Sequence, residues 1–115
     1  MKLKFIVSGK IQDGTVLIGK TGQMRFKMKM AEAYGFKVGD KWLVATDEDE
    51  TPTKHIYLLK SNDNTGFQMG FQNKSWFIAA KTLVNELNLK TPMYLKWQEF
   101  NNDGYSGFKL TIPNN

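Results

Sequence analysis

The sequence predicts a mainly β protein with two short helices: two pseudo-repeated strand-strand-helix-strand-strand units forming one compact barrel-like domain. Three observations carry that expectation. Apolar and polar residues alternate with period two along most of the chain, as half-buried strands require. Residues 23–44, QMRFKMKMAEAYGFKVGDKWLV, and residues 76–97, WFIAAKTLVNELNLKTPMYLKW, align without a gap at an offset of 53. They share an order of physical signals more than identity, and a repeat of this length sets the architecture. Finally, both helix-like segments are about two turns long, too short to persist unless packed on a sheet. The expected units are residues 16–61 and 67–112, within a single domain spanning 1–115.

The elements follow in order. Leu3, Phe5 and Val7 alternate with Lys2 and Lys4 in an extra leading strand, and Asp13-Gly14 marks a hairpin turn. A strand over residues 15–20 leads through Thr21-Gly22 to a strand over residues 23–29. Ala31-Glu32-Ala33-Tyr34 favours helix and stops at Gly35, a suitable residue for a left-handed C-terminal position. Strands follow over residues 41–46 and 55–60, separated by the polar loop 47–53. In the second unit the strands cover residues 67–72 and 75–80, and the helix covers 81–89. Residues 94–100 and 107–112 close the sheet through Asn101-Asn102-Asp103-Gly104. Leu43, Val44, Leu95 and Trp97 are expected in a core shared by both units.

Composition narrows the function. The chain has 115 residues, 41% apolar and 23% charged, with eight Phe, four Tyr and three Trp to fill a core. It has no cysteine, which removes disulfides, thiolate zinc sites and cysteine nucleophiles. No apolar run approaches a membrane span of roughly 18 residues, and residues 1–7 are too short for a signal peptide. A cytoplasmic protein without membrane contact is expected. The net charge is +5, and residues 1–61 hold 11 Lys and Arg against 7 acids. Four of those acids are consecutive, Asp47 to Glu50, which leaves the remainder of that half strongly basic. Such asymmetry suits a polyanionic partner, or simply solubility.

The sharpest local feature is Met24-Arg25-Phe26-Lys27-Met28-Lys29-Met30. On one strand Arg25, Lys27 and Lys29 would share a face, about 6.6 Å apart, with Lys20 just before them. That spacing is comparable to successive phosphates on a nucleic-acid strand, so these four residues are the candidate nucleic-acid-binding set. The alternative is a solvated outer face whose lysines discourage edge pairing. Aromatics at Phe67, Phe71, Trp76, Tyr94, Trp97 and Phe100 offer either core or base-stacking platforms. Catalysis has no visible constellation: His55 is the sole histidine, and Ser8, Ser61, Ser75 and Ser106 lie in no nucleophile motif. No cofactor motif is present, and Asp47-Glu48-Asp49-Glu50 lacks calcium-loop spacing. A non-enzymatic protein without metal or cofactor is expected.

The unit resembles the AbrB-type swapped-hairpin family of bacterial transition-state regulators and related antitoxins. The residues that carry the resemblance are Gly22, Arg25, Ala31-Glu32-Ala33-Tyr34-Gly35-Phe36, Lys37-Val38-Gly39-Asp40 and Trp42-Leu43-Val44. In the second copy they are Leu83 to Lys90, Leu95 and Trp97. The copies depart from the family pattern where Lys27 and Ala80 stand for the proline before the helix. Pro92-Met93 likewise replaces Gly-Asp in the second copy. The resemblance implies duplex DNA as partner and a regulatory role. It also implies either a homodimer or a monomer in which tandem copies supply both halves. A single-strand binder like the Whirly-type cofactors and a protein-interaction module are the other readings. Binding is expected to be lopsided, with Lys74, Lys81, Lys90 and Lys96 of the second copy counting less.

Overall fold

The computed structural model describes residues 15–102 and 104–113. The leading strand and the Asp13-Gly14 turn read from the sequence lie outside the described residues. Eight strands form a closed antiparallel barrel. The first unit supplies β1 (Thr15–Ile18), β2 (Gln23–Phe26), α1 (Met28–Tyr34), β3 (Lys41–Ala45) and β4 (His55–Lys60). The second supplies β5 (Phe67–Gln72), β6 (Ser75–Ala79), α2 (Lys81–Leu87), β7 (Met93–Asn102) and β8 (Tyr105–Thr111).

Around the barrel the order is β1-β2-β6-β5-β3-β4-β8-β7, closing back onto β1. Exchanging the units strand for strand returns the same ring read in the opposite sense. That is the symmetry of a two-fold axis passing between β2 and β6 on one side and β4 and β8 on the other. The hairpins are interleaved. The β1–β2 hairpin pairs only with β7 and β6, and the β5–β6 hairpin reaches its own side of the ring through β3 and β2. Among the described residues closure leaves no unpaired sheet edge, and a single chain achieves it.

The two helices share the offset of 53 in detail. Each has seven residues, and each ends at a left-handed residue, Gly35 (φ 64°) or Asn88 (φ 54°). Phe36 N–H donates to Ala31 O, and Leu89 N–H donates to Val84 O, both at 3.0 Å. Glycine and asparagine are the residues that tolerate this backbone most readily, so each helix ends where its sequence permits the reversal. In the first unit the chain then turns at residues 37–40. There Asp40 Oδ2 accepts from Lys37 N–H at 3.0 Å and pairs with Lys60 Nζ at 3.2 Å.

One expected strand is shorter than its sequence suggests. Residues 23–29 were expected to be extended, yet β2 ends at Phe26 and α1 begins at Met28. The alternation of Met24, Phe26, Met28 and Met30 satisfies a strand, but Phe26 and Met30 also stand one helical turn apart. Met, Lys, Ala and Glu favour the helix, and burial of Met30 and Ala31 with Met28 left exposed follows the helical period.

Inside the barrel Val16, Ile18, Met24, Ile56, Leu58, Met69, Ile78, Leu95 and Leu110 are fully buried. Of the four expected core residues, Leu95 is fully buried and Val44 and Trp97 pack against the core, whereas Leu43 does not belong to it. Trp42 takes its place, because Trp42 and Val44 share the inward face of β3. Phe108 sits among Tyr34, Phe36, Trp42 and Trp97, with ring centroids at 4.9, 6.2, 5.8 and 5.5 Å. The Tyr34 hydroxyl donates to Glu99. Partial burial, reinforced by that carboxylate, pushes the phenol up to about 12.

Candidate nucleic-acid interface

The four basic residues expected to form a ridge are divided by the β2–α1 junction. Arg25 points outward from β2 and is exposed. Lys27 is the residue before α1, still extended at φ −72°, ψ 148°, so it keeps the two-residue register with Arg25 on the outer face. Lys29 lies in the first turn of α1 and leaves that line, so the three-residue ridge on one strand is corrected to a pair. Lys20 is exposed in the turn between β1 and β2.

Register supplies what the sequence could not. Leu17 faces Arg25 on one side and Tyr94 on the other, while Arg25 also faces Phe77. Phe77 in turn faces Gly70. Directly opposed residues share a face, so Tyr94, Leu17, Arg25, Phe77 and Gly70 form one row across five strands. Their neighbours Leu95, Val16, Met24 and Ile78 are buried, which fixes the row as outward. Thr15 faces Lys96 one step along, adding a second cation beside Tyr94. Arg25 donates to Gln23 Oε1 at 2.8 Å, a neutral partner that orients the guanidinium without cancelling its charge.

Glycine is required inside this row. A Cβ on Gly70 would lie 2.9 Å from Cζ of Phe77, so the phenyl ring lies down on the backbone of β5. Phe77 is half-buried as a result, whereas Tyr94 is 62% exposed. A cavity of about 360 Å³ opens here, lined by Thr15, Leu17, Arg25, Lys27, Ser75 and Tyr94, with Phe26 at its base. A second of about 370 Å³ adjoins it, lined by Thr15, Tyr94, Lys96 and Thr111 with Ile112 and Pro113.

The remaining aromatics divide between core and surface. Phe67, Trp76 and Trp97 pack against the core, and Phe71 is exposed but lies on Trp76 at 4.9 Å. Phe100 packs against Tyr57 at 5.0 Å on the far side of the barrel. Lys96 was expected to matter less than the first-unit cations, yet it faces a residue that lines the same cavity as Arg25 and Lys27. The backbone of Lys81 also abuts the β1–β2 turn, where a Cβ on Gly22 would meet Lys81 Cα at 2.8 Å. The alternation of Tyr94 and Lys96 was visible in the sequence. Which strand they would face was not.

The acidic loop is anchored. Asp47 Oδ1 accepts from Asp49 N–H at 2.9 Å. Glu50 accepts from the backbone N–H groups of Lys54 and His55, each at 3.2 Å, and lies 2.6 Å from His55 Nδ1. The His55 hydrogen bond, aided by those backbone donors, holds the Glu50 carboxyl below the usual glutamate range. A depressed carboxylate contributes its anchoring above the ordinary glutamate pKa and loses it as pH falls through the lowered value. NMR titration is therefore expected to place the Glu50 midpoint below the ordinary glutamate value. An ordinary glutamate midpoint at Glu50 would dispose of the anchor.

Among the described residues no group of three or more His, Cys, Asp or Glu side chains is placed to hold a metal ion. No helix among them is long and apolar enough to cross a membrane. No protein-family model, curated protein or solved structure matches the chain.

Proposed function

We propose that this chain is a non-enzymatic nucleic-acid-binding protein that contacts duplex DNA in a regulatory role in the cytoplasm. In this reading it acts as a pseudo-dimeric monomer built on the AbrB-type plan. The observation that carries the reading is the placement of Arg25 and Lys27 beside Lys96 on one outer face of a closed barrel. Lys20 and Lys29 extend that face at the β1–β2 turn and the start of α1. Arg25 and Lys27 retain a separation of about 6.6 Å along the chain, twice the strand rise, and can follow adjacent phosphates. The interleaved hairpins support the same reading, because they are the arrangement that the resemblance implies.

Phosphate contacts position a protein on a duplex and make its affinity fall with salt. Titration of labelled duplex DNA from about 50 to 200 mM salt is expected to show a linear fall of log affinity against log salt. Two to four contacts imply a slope of about −2 to −4, at about 0.9 per contact. Absence of binding at about 50 mM salt, where the electrostatic contribution is greatest, would leave the barrel as a protein-interaction module.

A further inference from the structure

We infer that the outer face formed by β7, β1, β2 and β6 is a base-stacking site for single-stranded nucleic acid. Unpaired bases lie against Tyr94, and the backbone lies on Arg25, Lys27 and Lys96. The inference rests on the proposed nucleic-acid function and adds a second form of ligand, unpaired nucleotides, to the duplex contacts of the same face.

Tyr94 is the deciding residue. It is 62% exposed near the start of β7, opposite Leu17, and its ring is not part of the hydrophobic core. Phe77 in the same row is used structurally, pressed onto Gly70. The Tyr94 ring contributes to both cavities, of about 360 and 370 Å³, so apolar recesses adjoin it on two sides. Leu17 lines the first recess and Ile112 the second. Each recess also carries positive charge: Arg25 and Lys27 in the first, Lys96 in the second. An aromatic platform with cations on both flanks matches a ligand that alternates planar apolar groups with single negative charges, which is a strand of unpaired nucleotides.

Distances agree with this assignment. Arg25 stands two strands from Tyr94, roughly 9.6 Å at a spacing of about 4.8 Å per strand. A base seated on Leu17 between them touches the ring, and its phosphate comes within reach of the guanidinium. Arg25 also offers its planar group for stacking. Duplex DNA can place phosphates on Arg25 and Lys27, but its bases are paired and stacked within the helix and cannot reach Tyr94 unless they unpair.

The test uses the full chain with a labelled oligothymidylate of about 12 nucleotides and a duplex of the same length. Anisotropy is read at about 50 mM salt. Tyr94→Ser is expected to weaken single-strand binding about tenfold or more, within the range for loss of one stacked base, and to leave duplex affinity unchanged. Tyr94→Phe, which keeps the ring, is expected to bind the single strand as the wild type does. Because Tyr94 is exposed, both variants should melt with the wild type. If Tyr94→Ser leaves single-strand affinity intact, or lowers single-strand and duplex affinity equally, the stacking site is overturned. A weakening of duplex binding by Arg25→Ala would then show that the phosphate-contact reading survives it. If the wild type binds neither oligonucleotide, both readings fall together.

Discussion

Phe108→Ala is expected to destabilise the barrel by about 4 kcal/mol, in the range for truncating a buried aromatic. Phe108 is 2% exposed and touches rings from α1, from the segment after it, from β3 and from β7. These elements come from both units, so its removal opens a void that no single element can collapse to fill. Domains of this size have about 5–15 kcal/mol in all, and each kcal/mol moves the midpoint by roughly 4–8 °C near 100 residues. A fall of about 15–30 °C in Tm by circular dichroism follows. Phe108→Leu keeps most of the volume and should lose less than half as much. The partner residues sharpen the test. Tyr34→Phe removes only the hydroxyl that meets Glu99, so it should cost far less than Phe108→Ala. A loss below about 1 kcal/mol for Phe108→Ala, the size of an ordinary substitution, would mean that the aromatic cluster is not the shared core.

How much of this was legible depends on the range of the interaction. His55 to Lys60 was readable at its true bounds because strand periodicity is local and the polar loop before it gives a clear start. The second helix was readable to within two residues, since Leu87-Asn88-Leu89 carries its own stop. The start of α1 was misread because Met24, Phe26, Met28 and Met30 satisfy both periods, and tertiary burial of Met30 decides between them. Leu43 was misassigned for a similar reason: Leu43-Val44 is apolar at both parities, and only the inward turn of Trp42 fixes the phase. The mainly β class and the barrel followed from alternation and the repeat. The outer row of Tyr94, Leu17, Arg25 and Phe77 did not, since it exists only through pairings of β1 with β7 and β2 with β6. Those partners are about 50 to 80 residues apart in sequence. Lys20, Arg25, Lys27 and Lys29 were therefore found as charges, while the aromatic that gives the face its second property was found only by register.

Removing the four candidate cations together, Lys20, Arg25, Lys27 and Lys29 to Ala, is expected to weaken duplex binding by up to about three and a half orders of magnitude. At about 0.1 M salt each released counterion contributes up to roughly eightfold, from a slope of about 0.9 per phosphate. Lys29 lies off the Arg25–Lys27 line on α1, so its share depends on whether the duplex spans the β2–α1 junction. Single substitutions separate these cases. Arg25→Ala and Lys27→Ala should each reduce the salt slope by about 0.9, and Lys29→Ala by the same amount only if the duplex crosses that junction. The comparison set follows from the fold. Lys96 belongs to the face, so it should behave like Arg25 despite coming from the second unit. Lys41 lies on β3, four strands from β1 around the ring and so across the barrel from the face, and Lys90 follows α2. Replacing Lys41 and Lys90 should therefore change affinity less than twofold while altering net charge by two. The variants should keep wild-type melting, because Lys20, Arg25 and Lys29 are exposed and only Lys27 is half-buried. If removal of Lys41 and Lys90 weakens binding as much per charge as removal of Arg25 and Lys27, attraction is diffuse and the face is not a site. If the slope falls by about one for each of Arg25, Lys27 and Lys96 alone, the three cations that register brought together act as one surface.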